Sequence, residues 1–212
     1  IKNENHEGLA KGLENLDKHI SNMQMYGQTV VVAFNRYASD TEEEIDIVRR
    51  HCAGLGVGFA VNNAFIEGGK GAEELARLVV ETIANKPSAP LTLAYDDDDK
   101  VEEKICKVAR KIYGAATVSF SAEAKKKLQM IYDMGYDRFP VCIAKTQYSF
   151  STDPKLYGVA KNFDVNVSDI VINAGAEMLV IIAGKIMRMP GLPKVPQALK
   201  IDIVNGEIDG LS

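Results

Sequence analysis

Tyr37 and Phe65 carry the first chemical reading of this sequence. Tyr37 follows the apolar β-branched run at residues 29–34, which reads as a buried parallel strand, and Phe65 follows a second strand-like run at 57–61. If the two runs are parallel strands of one sheet, the loops after them leave on the same edge. The two rings then face each other across a crevice and stack on a flat heterocycle, worth about 0.5–1.5 kcal/mol per aromatic pair beyond area burial. The alternative is that each ring packs beneath its own loop.

Two longer segments come next. Residues 140–155 place Lys145, Thr146, Gln147 and Ser149 directly after an apolar run. A lysine and hydroxyls there suit an anion, or equally a polar network that holds an irregular loop. Residues 189–196 carry Pro190, Pro193 and Pro196, which fix backbone shape at low entropic cost. That predicts a rigid wall, with Lys194 as a candidate for phosphate or carboxylate. Irregular backbone of this composition is where binding usually sits.

Other chemistry is missing. There is no G-x-x-x-x-G-K-[ST]; Gly68-Gly69-Lys70-Gly71 is too short and lacks the hydroxyl residue. It reads more simply as a flexible helix entry. No G-x-S-x-G, no H-E-x-x-H and no catalytic Cys–His pairing is present, so no covalent catalyst can be assembled and no metal site is expected. Asp96, Asp97, Asp98 and Asp99 read as a carboxylate-rich helix start. Cys52, Cys106 and Cys142 are far apart, without a CxxC pair, and read as small core residues in a reducing cytosol. His6, His19 and His51 lack metal-ligand spacing and read as surface or cap residues.

The elements that must position these groups follow from periodicity. Residues 9–24 repeat leucine, isoleucine and methionine at helical spacing and stop near Gly27. Strand 29–34, a loop, and a helix capped by Asp40 or Ser39 and carrying Ile45, Val48 and Cys52 come next. Strand 57–61, a loop at 62–70 and a helix at 72–84 with Leu75, Leu78, Val79 and Ile83 on one face complete the first part. This α-β-α-β-α order is a slice of an open, mostly parallel α/β sheet. Pro87 and Pro90 suggest a boundary near residue 88. Beyond it the sequence predicts a short strand at 91–95, a helix at 100–113, a strand at 117–120, a helix at 122–134 capped by Ser121, and a strand at 138–144. Extended runs at 163–173 and 177–183 follow, then a hairpin about Asn205-Gly206. The expected organisation is two units, 1–88 and 89–212, the second a smaller mixed α/β domain.

The 212 residues are 46% hydrophobic and 25% charged, with a net charge of −4. That is a globular composition without the basic footprint of a nucleic-acid binder. No apolar stretch approaches the roughly 18 residues of a membrane span. Neither nucleic acid nor membrane is an expected partner.

Several blocks resemble one known family. Asn15-Leu16-Asp17-Lys18-His19-Ile20, residues 30–36, Asp40-Thr41-Glu42, Gly68-Gly69, residues 145–151, Asp153-Pro154-Lys155 and residues 189–196 are similar to formate–tetrahydrofolate ligase, of the bacterial monofunctional kind. The similarity runs from about Leu9 to Leu211. It implies a cytoplasmic, homotetrameric enzyme of one-carbon metabolism that joins formate to tetrahydrofolate with ATP. The route is through formyl phosphate, giving 10-formyltetrahydrofolate, ADP and phosphate, with magnesium and an activating monovalent cation.

The resemblance also implies that the rings after the two strands sandwich the folate ring. Tyr37 stands where the family usually has Phe, and Phe65 where it often has Trp; both keep a π-face. Glu67 stands where the family usually has Lys. Tyr157, Gly158 and Val159 match a segment lining the adenine pocket. The ATP phosphate loop and the formyl phosphate site of the family lie in an N-terminal part to which nothing here corresponds. Together with the Ile1 start, this predicts a C-terminal portion of a P-loop-type enzyme, not competent for turnover alone, that needs the N-terminal part as partner. A non-catalytic folate- or nucleotide-binding module and an assembly domain are the alternative readings.

Overall fold

The computed structural model describes residues 5–186, 194–204 and 206–210. Helix α1, His6–Met25, starts at Asn5, whose side chain accepts from Gly8 N at 2.8 Å. Gly27 (φ +80°) then turns the chain toward β1, Val31–Asn35. Helix α2, Glu42–Gly54, connects it to β2, Gly58–Asn62. The two strands pair in parallel, with Val31 opposite Gly58 and Asn35 opposite Asn62. Apolar side chains at helical spacing bury Leu13 of α1 against Val48 and Cys52 of α2, with Val32, Phe34 and Phe59 of the strands beneath.

The cap of α2 differs from the expectation. Thr41, not Ser39 or Asp40, accepts from Glu44 N at 3.2 Å while the Glu44 carboxylate accepts from Thr41 N, a reciprocal capping box. Asp40 instead braces the preceding loop. Residues 62–70 are also more ordered than a simple loop: a single helical turn, α3 (Ala64–Glu67), runs into a 3₁₀ segment, Gly68–Ala72. Helix α4, Glu73–Asn85, follows and packs on β2 and β1. The apolar face expected of it is present in sequence, yet none of its residues is buried, and Val79 and Ile83 are exposed. A sheet of two strands is too narrow to cover the helix.

Residues 91–95 form no strand. One backbone bond, Thr92 N to Tyr26 O at 3.1 Å, ties this stretch to the end of α1. Helix α5, Val101–Val108, widens into a π-helical turn, Ala109–Tyr113, and stops at Gly114 (φ +79°). Strand β3 (Thr117–Phe120), helix α6 (Ala122–Asp133, capped by Ser121), and strands β4 (Val141–Ala144), β5 (Asp164–Asn173) and β6 (Met178–Ala183) complete the second sheet. Its order is β3-β5-β6-β4, with β3–β5 and β4–β6 parallel and β5–β6 antiparallel. Val101 and Ile105 of α5 and Ala124, Leu128 and Ile131 of α6 pack on Val167, Ile170, Leu179 and Ile181. These positions of β5 and β6 are thus committed to the helical layer, while Val165 and Ala183 pack in a neighbouring cluster with Ala109, Ala115, Ala160 and Phe163.

Strand β4 begins three residues later than expected. The carbonyls of Asp137, Arg138 and Phe139 are taken by the buried ammonium of Lys104, at 3.1, 3.2 and 3.2 Å. Lys104 thus occupies the place at the approach to β4 where a neighbouring strand would bond. A hairpin of β7 (Asp202–Val204) and β8 (Glu207–Asp209) closes the described chain; Asn205 in its turn lies outside the described residues. No helix of the described residues is long and apolar enough to cross a membrane.

Helix α1 also reaches the π-helical turn that follows α5. Asn22 is buried and donates to Ile112 O at 3.0 Å, and Lys18 Nζ donates to Lys111 O at 3.1 Å. The free thiols divide by environment: Cys52 is in the core, Cys106 half-buried and Cys142 exposed, so only the first is a true core residue.

Candidate functional site

The carboxyl ends of β1 and β2 build a cleft of about 430 Å³ lined by Asn35, Arg36, Tyr37, Ala38, Asn62, Phe65 and Ile66. Parallel pairing places Asn35 and Asn62 side by side, and the chain leaves both in the same direction. Tyr37 lies two residues beyond one strand and Phe65 three beyond the other. Neither ring packs under its loop: Tyr37 is 72% exposed and Phe65 87% exposed. Both border the same cleft and stand free at its mouth.

The backbone around these rings is well tied. Tyr37 N donates to the Asp40 carboxylate at 2.8 Å, and Asp40 N returns a bond to Tyr37 O at 3.1 Å. Arg36 N donates to Asn62 O at 3.1 Å and its guanidinium pairs with Glu42 at 2.8 Å. On the other side Asn63 N donates to Gly71 O at 3.0 Å, and Asn63 Nδ2 to Glu67 Oε1 at 2.7 Å. Glu67 therefore serves the α3 turn itself. Gly71 has no room for a side chain, since a Cβ there would lie 2.5 Å from the carbonyl carbon and oxygen of Asn63. The glycine run thus presses one strand end against the next helix entry and so presents Phe65.

A second cleft, about 390 Å³, is lined by Asn15, His19, Tyr113, Lys145, Thr146, Gln147, Tyr148, Ser149, Phe150, Tyr157 and Gly158. Here α1, the end of the π turn and the loop after β4 converge. The ammonium of Lys145 donates to Thr146 O at 3.0 Å and to Ser149 O, and lies 4.9 Å from the Tyr113 ring centre. Burial lowers its pKa. Of the two roles expected of Lys145, the structure displays the loop network. Thr146 Oγ1 accepts from Tyr148 N at 3.3 Å in the same turn. Phe150 is buried, with its ring centre 5.0 Å from that of His19.

Tyr157 and Gly158 border this second cleft, but Val159 does not. It lines a shallow depression with Glu14, Asp17, Lys18, Ser21 and Lys161. Lys194 is exposed and touches neither cleft. The rest of its proline-rich segment, residues 187–193, lies outside the described residues. Two features escaped sequence reasoning. The Asn35–Asn62 pair follows from strand register alone. Asn15, His19 and Tyr113 reach the second cleft from elements far away in sequence. Among the described residues no group of three or more His, Cys, Asp and Glu side chains could hold a metal ion.

An open α/β arrangement with a ring-lined crevice beyond the carboxyl ends of parallel strands is the form in which such sheets bind planar ligands. The family model described as formate–tetrahydrofolate ligase matches residues 1–212. The chain is 66% identical over 212 residues to the formate–tetrahydrofolate ligase of Phocaeicola vulgatus and 62% identical over 212 residues to that of Bacteroides fragilis, covering all of this chain and 38% of each relative. It is 51% identical over 206 residues to the Campylobacter concisus protein of the same name, covering 96% of this chain and 37% of that protein. The chain belongs to the formate–tetrahydrofolate ligase family, and spans less than two-fifths of the length of these relatives.

Proposed function

We propose that this chain is the folate-positioning part of a cytoplasmic, ATP-dependent ligase that joins formate to tetrahydrofolate through formyl phosphate, releasing 10-formyltetrahydrofolate, ADP and phosphate. The observation that carries the proposal is the pair of exposed rings, Tyr37 and Phe65, at the mouth of one cleft. A protein gains nothing in folding stability from two large apolar rings held in water, whereas a flat ligand between them buries both. The bicyclic pterin has that shape. Held there, its amine is aimed at formyl phosphate bound by the polypeptide that makes up the rest of the family's length. The contribution of this chain is then orientation, which converts a bimolecular encounter into a near-unimolecular one.

In the same proposal residues 1–88 close the nucleotide- and folate-binding domain and 89–212 form the C-terminal domain. Tyr157 and Gly158 border the adenine pocket together with His19 and Tyr113. Magnesium accompanies the nucleotide, and a monovalent cation activates the enzyme. The working enzyme is a homotetramer, and this chain without the remaining polypeptide does not turn over.

Calorimetric titration of tetrahydrofolate into the chain, alone and mixed with polypeptide covering the remaining length of a relative, tests this. Binding that disappears in both Tyr37→Ala and Phe65→Ala is expected. Binding that survives both substitutions would place the pterin elsewhere, and ATP-dependent formylation by the pure chain would refute its dependence on the missing part.

A further inference from the structure

The cleft between the rings has a polar floor whose direction is fixed by backbone. Ala64 N, at the start of α3, can only donate, and it donates to Asn62 Oδ1 at 3.3 Å. The Asn62 amide is thereby oriented with Nδ2 outward, and Nδ2 donates to Asn35 Oδ1 at 2.8 Å. That bond in turn orients Asn35: its oxygen is engaged, and its Nδ2 has no partner among the described residues. Asn35 lines the cleft and is exposed. An amide whose two ends are assigned by a backbone donor behaves as a one-way relay. At this strand end the cleft therefore presents N–H donors. Arg36 is a donor as well, its guanidinium paired with Glu42, and the Tyr37 hydroxyl, which can donate or accept, is the remaining polar side chain of the lining.

Resting on the pterin reading above, we infer that Asn35 is a specificity-determining residue that donates to the ring carbonyl of the bound heterocycle, and that Asn62 is the positioning residue that keeps it a donor. The ligand class this selects is a planar lactam, with a carbonyl acceptor on the edge facing the strand ends. A ring of the same shape bearing an amino group at that position meets donor with donor and is rejected, because a polar group desolvated without a partner loses the full cost of its lost hydration.

The relay makes two substitutions converge. In N35D the carboxylate still accepts from Asn62, so the local geometry is retained, but an acceptor now faces the ligand. In N62D the new carboxylate still accepts from Ala64 N yet cannot donate to Asn35. Asn35 must turn over to donate to it, and so presents its oxygen to the cleft.

The test is titration of tetrahydrofolate and of its 4-amino analogue into wild type, N35D, N62D and the double variant, in the two formats described above and with thermal unfolding recorded for each. Wild type is expected to prefer the 4-oxo ring by about tenfold or more, and each single variant to lose or reverse that preference. In the double variant two carboxylates meet where an amide donated to an amide oxygen, so it is expected to unfold at a lower temperature than either single variant. Asn35 is exposed, so N35D carries the test even if N62D is poorly folded. Ring-dependent binding with an unchanged 4-oxo preference in N35D overturns this inference and leaves the pterin site standing. Absence of any binding that depends on Tyr37 and Phe65 overturns the pterin site and this inference with it.

Discussion

Asn35 and Asn62, paired across two parallel strands and joined side chain to side chain at 2.8 Å, fix where Tyr37 and Phe65 emerge. Each asparagine is the last residue of its strand, and each aromatic follows within three positions. The distance between the rings is thus set by the spacing of neighbouring strands, about 4.8 Å, plus the lean of two short loops. Such a platform is stiff where it is anchored and open at its edge.

Because the rings lie in water, their removal has little to do with folding. Tyr37→Ala and Phe65→Ala are each expected to change unfolding free energy by no more than about 0.5 kcal/mol, the range of surface substitutions. Chemical denaturation of the two variants checks this. A loss above about 2 kcal/mol in either would mean that its ring is part of a packed cluster.

Gly71→Ala is the opposite case. The added methyl group would approach the Asn63 carbonyl at 2.5 Å and Ala64 N at 2.9 Å, and both neighbours are backbone. The 3₁₀ segment must move, at a cost of about 1–3 kcal/mol. Phe65 sits on the turn that begins at Ala64, so the same substitution should weaken ligand binding at the cleft while Gly69→Ala, where a Cβ meets nothing within 4 Å, should not. Equal behaviour of the two variants in titration would break the link between Gly71 and the ring.

Much of this arrangement was legible in the residues. The continuous apolar run before Tyr37 predicts a buried strand, yet no residue of β1 is buried and only Ala60 of β2 is, because the sheet is two strands wide; the helix between them carries its apolar side chains at Ile45, Val48 and Cys52, all of which are buried. Position along the chain could not reveal which strand position opposes which, so the Asn35–Asn62 pair stayed hidden. Residues 91–95 differ from the strand their sequence predicts for a related reason. Leu91, Thr92 and Leu93 have the right alternation for a strand, but no strand among the described residues pairs with them, and Leu91 and Leu93 remain exposed. Lys145 shows the limit from the other side: a lysine after a strand is compatible with an anion or with a loop, and only the geometry shows two carbonyls and a ring around it.

Lys104 is the strongest polar anchor of the second sheet. Its side chain is buried and its three donors are matched to three successive carbonyls, with the Tyr95 ring centre 5.9 Å away. Burial lowers its pKa, partly offset by Asp97, Asp137 and Asp99. Lys104→Met keeps the length of the side chain and removes every donor, leaving those carbonyls to find water or remain unpaired. A loss of about 2–3 kcal/mol is expected in denaturant unfolding. Hydrogen exchange should localise the loosening to the approach to β4, and an unaltered exchange pattern there would contradict the anchor role.

Tyr132 offers a pH signature that can be isolated. Its hydroxyl donates to Glu102 Oε2 at 2.5 Å and accepts from Val101 N at 3.2 Å, so one phenol ties α6 to the first turn of α5. Burial first, and then the Glu102 carboxylate, push its pKa from 10.0 up to about 12. In the window between those values the unfolded chain has lost the proton and the folded chain has kept it. Stability from this group is therefore complete below pH 10 and falls as pH rises toward about 12. Tyr26 and Tyr113 are also pushed up by burial, so the wild-type alkaline limb is a sum of several phenols. The difference between wild type and Tyr132→Phe removes that background. The variant is expected to be less stable by about 1–2 kcal/mol at neutral pH, from two lost hydrogen bonds. The gap should narrow between about pH 10 and about pH 12, as the wild type loses what the variant never had. Denaturant unfolding of both proteins at about pH 8 and about pH 11 measures it, and a gap that stays constant or widens would show that the phenol is not held neutral by its bond to Glu102.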